Sequence, residues 1–145
     1  MLNPSVRLAF VSAAAALVCA CASPPKPPSD LLAPDAKQAA LREMQTRSFE
    51  VSNRQQAMRG VIAALQDLGF IIERANEPLG LVTAARFAEP RYADVVAVTV
   101  TVRPLAEDKM EIRTNAIYNN QPISDAKVYQ NFFATLERSL FTGRN

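Results

Sequence analysis

Between Asp94 and Arg103 the chain alternates with a period of two. Val96, Val98, Val100 and Val102 fall on one side, Thr99, Thr101 and Arg103 on the other. Successive side chains in a strand point to opposite faces, so this stretch reads as a half-buried β-strand built from residues that suit a pleated surface. Its valine face must be covered and its threonine face wetted. A continuous apolar run would mark a parallel sheet covered on both sides. Alternation instead points to an antiparallel sheet with one solvated face.

Partners for that strand lie on either side of it. Phe70 to Arg74 and Leu81 to Phe87 are separated by Glu77-Pro78-Leu79-Gly80, with Pro and Gly at the second and fourth positions of a type I turn. Pro104 is expected to end the valine strand, and Ala106-Glu107-Asp108-Lys109 to form a polar turn. Met110 to Tyr118 follows, with Met110, Ile112, Ala116 and Tyr118 on one side. Further upstream, Thr46 to Val51 alternates polar and apolar in the same way.

Three segments carry the other period. Asp35 to Gln45 reads as a short helix, with Asp35 and Gln38 at capping-box spacing. The next helix starts at Ser52 or Asn53 and presents Met58, Val61, Ile62, Leu65 and Leu68 along one face. Gly69 is its expected left-handed cap, and Gly60 inside it implies close packing against another element, since Gly there costs about 1 kcal/mol relative to Ala. A final helix starts at Ser124 or Asp125 and carries Val128, Tyr129, Phe132, Phe133, Leu136 and Leu140, with Phe141 beside them. That aromatic stripe is core material rather than a ligand box. The order implies an α+β domain: an antiparallel sheet of four to five strands with two main helices on one face.

Ahead of this domain the chain changes character. Arg7 precedes an apolar run from Leu8 to Val18, too short to cross a hydrocarbon core needing about 20 residues. A cation, a short apolar run and small residues make a secretory signal. The residues Val18-Cys19-Ala20-Cys21 resemble the bacterial lipobox, which implies diacylglycerol on Cys21. Cys19 fits less well because Val18 precedes it, and ordinary cleavage after Ala20 or Ala22 is the competing reading. More than one acyl chain gives stable anchoring, one alone only marginal binding. Ala22, rather than Asp, follows Cys21, which by resemblance to the enterobacterial sorting pattern implies the outer membrane. Half of the ten prolines then fall between Pro24 and Pro34, an extended, semi-rigid tether. The expected organisation is a signal peptide over 1–20, a lipidated Cys21 and tether over 21–34, and a single domain over 35–145.

Composition narrows the chemistry. The chain has no histidine, which removes His triads, His general bases and His-containing metal sites. Both cysteines, Cys19 and Cys21, belong to the signal region ahead of the domain, so no disulfide can form within it. A formal net charge of +2 argues against nucleic acid. The acids, Glu107-Asp108 included, are scattered over turns and polar positions. No glycine-rich phosphate loop is present, and no serine has a nucleophile-elbow setting. Neither catalysis nor a cofactor is expected.

Arginine outnumbers lysine twelve to four. Arg74, Arg86, Arg103 and Arg113 fall one on each of four strands, where they form either an anion- or partner-binding face or a solvated face paired with Glu73 and Glu111. The solvated face is the plainer reading.

Two resemblances accompany these readings. Gln45-Thr46-Arg47-Ser48-Phe49, Leu65-Gln66-Asp67-Leu68-Gly69-Phe70, Leu79-Gly80-Leu81-Val82 and Tyr129-Gln130-Asn131-Phe132-Phe133, with Leu140-Phe141, resemble a family of small uncharacterised proteobacterial lipoproteins. That resemblance implies a cell-envelope lipoprotein and no known chemistry. By element order alone the domain is similar to the helix-grip arrangement and to domains of a lipoprotein component of the bacterial β-barrel assembly machinery. The expectation is a lipid-anchored, periplasm-facing, non-catalytic binding or scaffold module whose partners are the membrane and another envelope protein. The alternative is a carrier or sensor of a lipid or other apolar ligand held between helix and sheet. An apolar cavity of about 300 Å³ or more would favour the ligand, a filled core the scaffold.

Overall fold

The computed structural model describes residues 36–88 and 93–142. The signal peptide, Cys21 with its lipid, the proline tether and the Asp35 cap lie outside the described residues. Among the described residues three helices, α1 (Ala36–Gln45), α2 (Arg54–Asp67) and α3 (Ala126–Thr142), accompany six strands: β1 (Thr46–Phe49), β2 (Ile71–Asn76), β3 (Leu81–Phe87), β4 (Val95–Ala106), β5 (Lys109–Tyr118) and β6 (Gln121–Pro122). The class is α+β, as the alternation implies. The strands pair antiparallel in the order β1-β5-β4-β3-β2, with β6 beside β5.

One face of the sheet is covered by α2 and α3, which also pack against each other. Val82, Ala84, Val98, Val100, Val102 and Ile112 from the strands meet Val61, Leu65, Phe133 and Leu136 from the helices. Tyr129, Phe133, Leu65, Ile112 and Leu136 are among the largest fully buried side chains. Burying each such group contributes about 1.5–3 kcal/mol. Among the described residues, the opposite face carries only α1, at one margin.

Local chemistry sets the element ends. Asn53, rather than Ser52, caps α2, its side-chain oxygen accepting from the Gln55 amide at 2.8 Å. Gly69 leaves the helix with φ +78°, and the Phe70 amide reaches back to the Leu65 carbonyl at 2.9 Å, a Schellman ending. Asp125, rather than Ser124, caps α3 by accepting from the Lys127 amide. Gly60 faces α3, as its place inside a helix implies.

Four expectations are corrected. Pro104 does not end the valine strand: β4 runs on to Ala106, with a register shift between Pro104 and Ala106. The Val102 amide points to the β3 side, donating to the Gly80 carbonyl at 2.7 Å. Pro104, two residues on, turns its missing N–H to that same side after β3 pairing has ended at Thr101, so no ladder bond is lost. Asn119 and Asn120, both at positive φ, form a tight two-residue hairpin that returns the chain as β6, a strand not expected from the sequence. Tyr118 shares the face of Met110 and Ile112 but lies beyond the core, exposed, while Thr114 in the same row is buried. Val128 stands at an exposed rim rather than in the core.

Candidate functional site

Strand register places the four arginines. Arg103 stands opposite Glu111, and Arg113 opposite Thr101, so the two arginines are diagonal neighbours on the open face. Arg74 reaches that face by a bulge. Ile72 pairs with Ala84 on the covered side, Glu73 is the extra residue, and Arg74 pairs with Thr83 on the open side. It lies three strands from Arg113 in the sheet order. Arg86 goes the other way: it pairs with Val96 on the helix-covered face, its guanidinium 5.1 Å from the Phe70 ring centre. The four therefore do not form one cluster. Arg103 and Arg113 do come together, and α1 adds a third cation that the strand pattern gave no hint of, Arg42. With Gln38, Thr101 and Glu111 they line a polar hollow of about 560 Å³ between α1 and the sheet.

The other half of the open face is apolar. Ile71 pairs with Ala85, Ala85 with Ala97, Ala97 with Ile117 and Ile117 with Pro122, a row that crosses five strands. Phe87 and Val95 form the next pair outward. Ile71 is 68% and Phe87 60% exposed. Each residue is unremarkable in its own strand; only the register joins them into a patch.

The sheet's two edges differ. The outer side of β5 is covered by β1 and β6, and the Ile123 amide donates to the Ala116 carbonyl between them. Gln45, 2% exposed, fills the remaining gap: its side-chain amide donates to Asn115 Oδ1 at 3.2 Å and to Tyr129 Oη at 3.1 Å. The Tyr129 hydroxyl in turn donates to the Ile123 carbonyl. At the far edge β2 has no strand beyond it among the described residues, and its bulge at Glu73 breaks the regular spacing another strand would need.

On the covered face the core is filled at its centre but not at one end. A cleft of about 280 Å³ remains between α3 and the start of β4, walled by Leu65, Leu68, Val98, Ala116, Val128 and Phe132. That volume falls just under the size that separates a filled module from a ligand carrier. Beside the β4 start, Asp94 accepts hydrogen bonds from the Tyr118 hydroxyl and the Asn119 side-chain Nδ2, which hold its carboxyl below its ordinary value of 3.8. Among the described residues no cluster of three acids or cysteines is placed to hold a metal ion, and no helix is long and apolar enough to cross a membrane.

No family model matches the chain, and no curated protein does. Among solved structures it is similar to the adenylate sensor from AMP-activated protein kinase in complex with 5-aminoimidazole-4-carboxamide 1-β-D-ribofuranotide. That likeness has 10% identity and a TM-score of 0.48, over 66% of this chain and 94% of that one. It is too loose to carry any inference about nucleotides.

Proposed function

We propose that this chain is a lipid-anchored module of the bacterial cell envelope, facing the periplasm from the outer membrane, that binds another envelope protein without turnover. The leader with Cys21 and the proline tether support the anchoring. The observation that carries the binding reading is the open sheet face, where an apolar row, half-buried at its centre and exposed at Ile71, meets at Pro122 the hollow that holds Arg42, Arg103 and Arg113. Among the described residues no acid lies within ion-pair distance of those three guanidinium groups, although Glu111 lines the same hollow. Arginine forks are suited to carboxylates, and interfaces combine an apolar centre with a charged rim. The partner is therefore an acidic segment that also carries apolar side chains.

Photo-crosslinkers at Phe87 and Thr99 in intact cells test this, with one at Gln130 on α3 as the control. One and the same envelope protein should be captured from both open-face positions and not from Gln130. Arg103→Glu with Arg113→Glu should remove the capture, and the crosslinked peptide should be acidic. Unchanged capture by the charge-reversed chain sinks the surface. Recovery of the native chain with a free, unmodified amino end in the aqueous fraction sinks the anchor.

A further inference from the structure

We propose that the cleft between α3 and the sheet binds a single-chain amphiphile with an anionic head, of the fatty-acid type. The cleft lies on the covered side of the sheet, so the proposal goes beyond the partner surface on the open side and does not depend on it.

Its walls are hydrocarbon, and the polar groups on its floor offer no charge. Thr114 is 2% exposed there, and the Tyr129 hydroxyl is committed to the Ile123 carbonyl. An apolar void of about 150 Å³ accepts benzene, and pockets for drug-sized ligands begin at about 300 Å³. A cleft of about 280 Å³ therefore suits one acyl tail and not a two-chain lipid. Val128, which lines the cleft, is exposed although apolar, as an unfilled contact would be.

The rim supplies the head-group chemistry. Arg86 and Asn131 line the cleft and are both exposed to solvent. Arg86 is held in place at the cleft: its guanidinium lies over Phe70, and Nη1 donates to the Leu68 carbonyl at 3.4 Å. Neither contact neutralises its charge, and among the described residues it has no acidic partner within ion-pair distance. A positioned guanidinium at the mouth of a hydrocarbon slot orients an amphiphile tail inward and carboxylate outward.

The full chain is titrated with octanoate, decanoate, decanol and decyltrimethylammonium as monomers, reading displacement of a fluorescent fatty acid and methyl shifts of Val98 and Val128. Each added methylene should tighten binding about fourfold. Decanoate should bind about tenfold more tightly than decanol, and the cationic amphiphile not at all. Arg86→Gln should bring decanoate to the level of decanol. Ala116→Leu should block the cleft from within. Should that variant not fold, Asn131→Phe on the exposed rim closes the mouth without touching the core. Equal binding of decanoate and decanol overturns the head-group assignment. Absence of displacement, displacement unaffected by Asn131→Phe, or binding only to anionic phospholipid vesicles overturns the site.

Discussion

Leu140 Cδ2 lies 2.5 Å from where a β-carbon on Gly60 would stand, and Leu140 Cγ lies 3.1 Å away. The missing side chain of α2 is thus the space in which α3 places a buried leucine. Ala would gain about 1 kcal/mol of helix propensity at this position, but overpacking a close-packed contact costs about 1–3 kcal/mol. The second effect wins while Leu140 is present. Gly60→Ala should lower stability by about 1 kcal/mol in urea unfolding. In a Leu140→Ala background the same change should be neutral or stabilising, and an unchanged sign there would refute the packing account.

Gly80 is the more demanding glycine. It sits at φ +63°, and a β-carbon on it would come 2.1 Å from the Val102 carbonyl oxygen. That oxygen is backbone of the neighbouring strand and cannot swing aside. Gly80→Ala should cost about 3 kcal/mol or more, combining left-handed strain with displacement of β4. Gly69, also at positive φ, has nothing within 4 Å. Gly69→Ala should cost only the strain of about 1–2 kcal/mol. Thermal unfolding of the two variants side by side gives the comparison.

The Gln45–Tyr129 bond closes the sheet edge across 84 residues of chain. Tyr129→Phe removes the donor to the Ile123 carbonyl, a half-buried contact, and one acceptor for the buried Gln45 side-chain amide. A loss of about 1–3 kcal/mol is expected. Gln45→Leu with Tyr129→Phe should be less damaging than the sum of the single changes, because no half-satisfied pair remains. Strict additivity in the double-mutant cycle would contradict this.

Asp94 gives a pH signature. The Tyr118 hydroxyl and the Asn119 side-chain amide favour its charged form, so its folded-state value lies below the ordinary 3.8. A depressed carboxyl contributes stability that is present above the unfolded value and lost as pH falls through the folded one. Stability should therefore decline on acidification below about pH 4. Asp94→Asn should flatten that part of the profile by lowering stability at neutral pH toward the acid level. An acid profile identical to wild type would count against the contact.

Exposed apolar positions should behave differently from core ones. Phe87→Ser and Ile71→Thr remove open-face hydrocarbon that touches solvent, so unfolding free energies should stay within about 0.5 kcal/mol of wild type. Binding of the partner, followed by crosslinking yield, should fall. A large stability loss would mean that this patch belongs to the fold and not to recognition.

The element plan is written in the sequence because strands and helices each repeat with their own period. The valines of β4, the Leu81–Phe87 strand and the α3 stripe are all visible one segment at a time. Turn chemistry at Gly80, Gly69 and Asn53 is local as well and can be read in place. The candidate sites are different, because they arise from which strands lie side by side and in what register. Val82, Ala84 and Arg86 share one side of β3, while Leu81, Thr83, Ala85 and Phe87 share the other. Neither set declares itself inner until Ala84 pairs with Val98. That pairing sends Arg86 to the cleft and away from Arg103. One bulged residue, Glu73, likewise turns Arg74 to the open face, where a regular strand would have kept it beside Ile72. Periodicity is a property of a single segment and needs no partner, so the chain alone determined its three helices, its five periodic strands and its fold class, while the short β6 and the run of β4 past Pro104 depend on pairing with neighbours. Faces, clefts and the Gln45–Tyr129 closure are properties of pairs far apart in the chain, and only the packed sheet decided them.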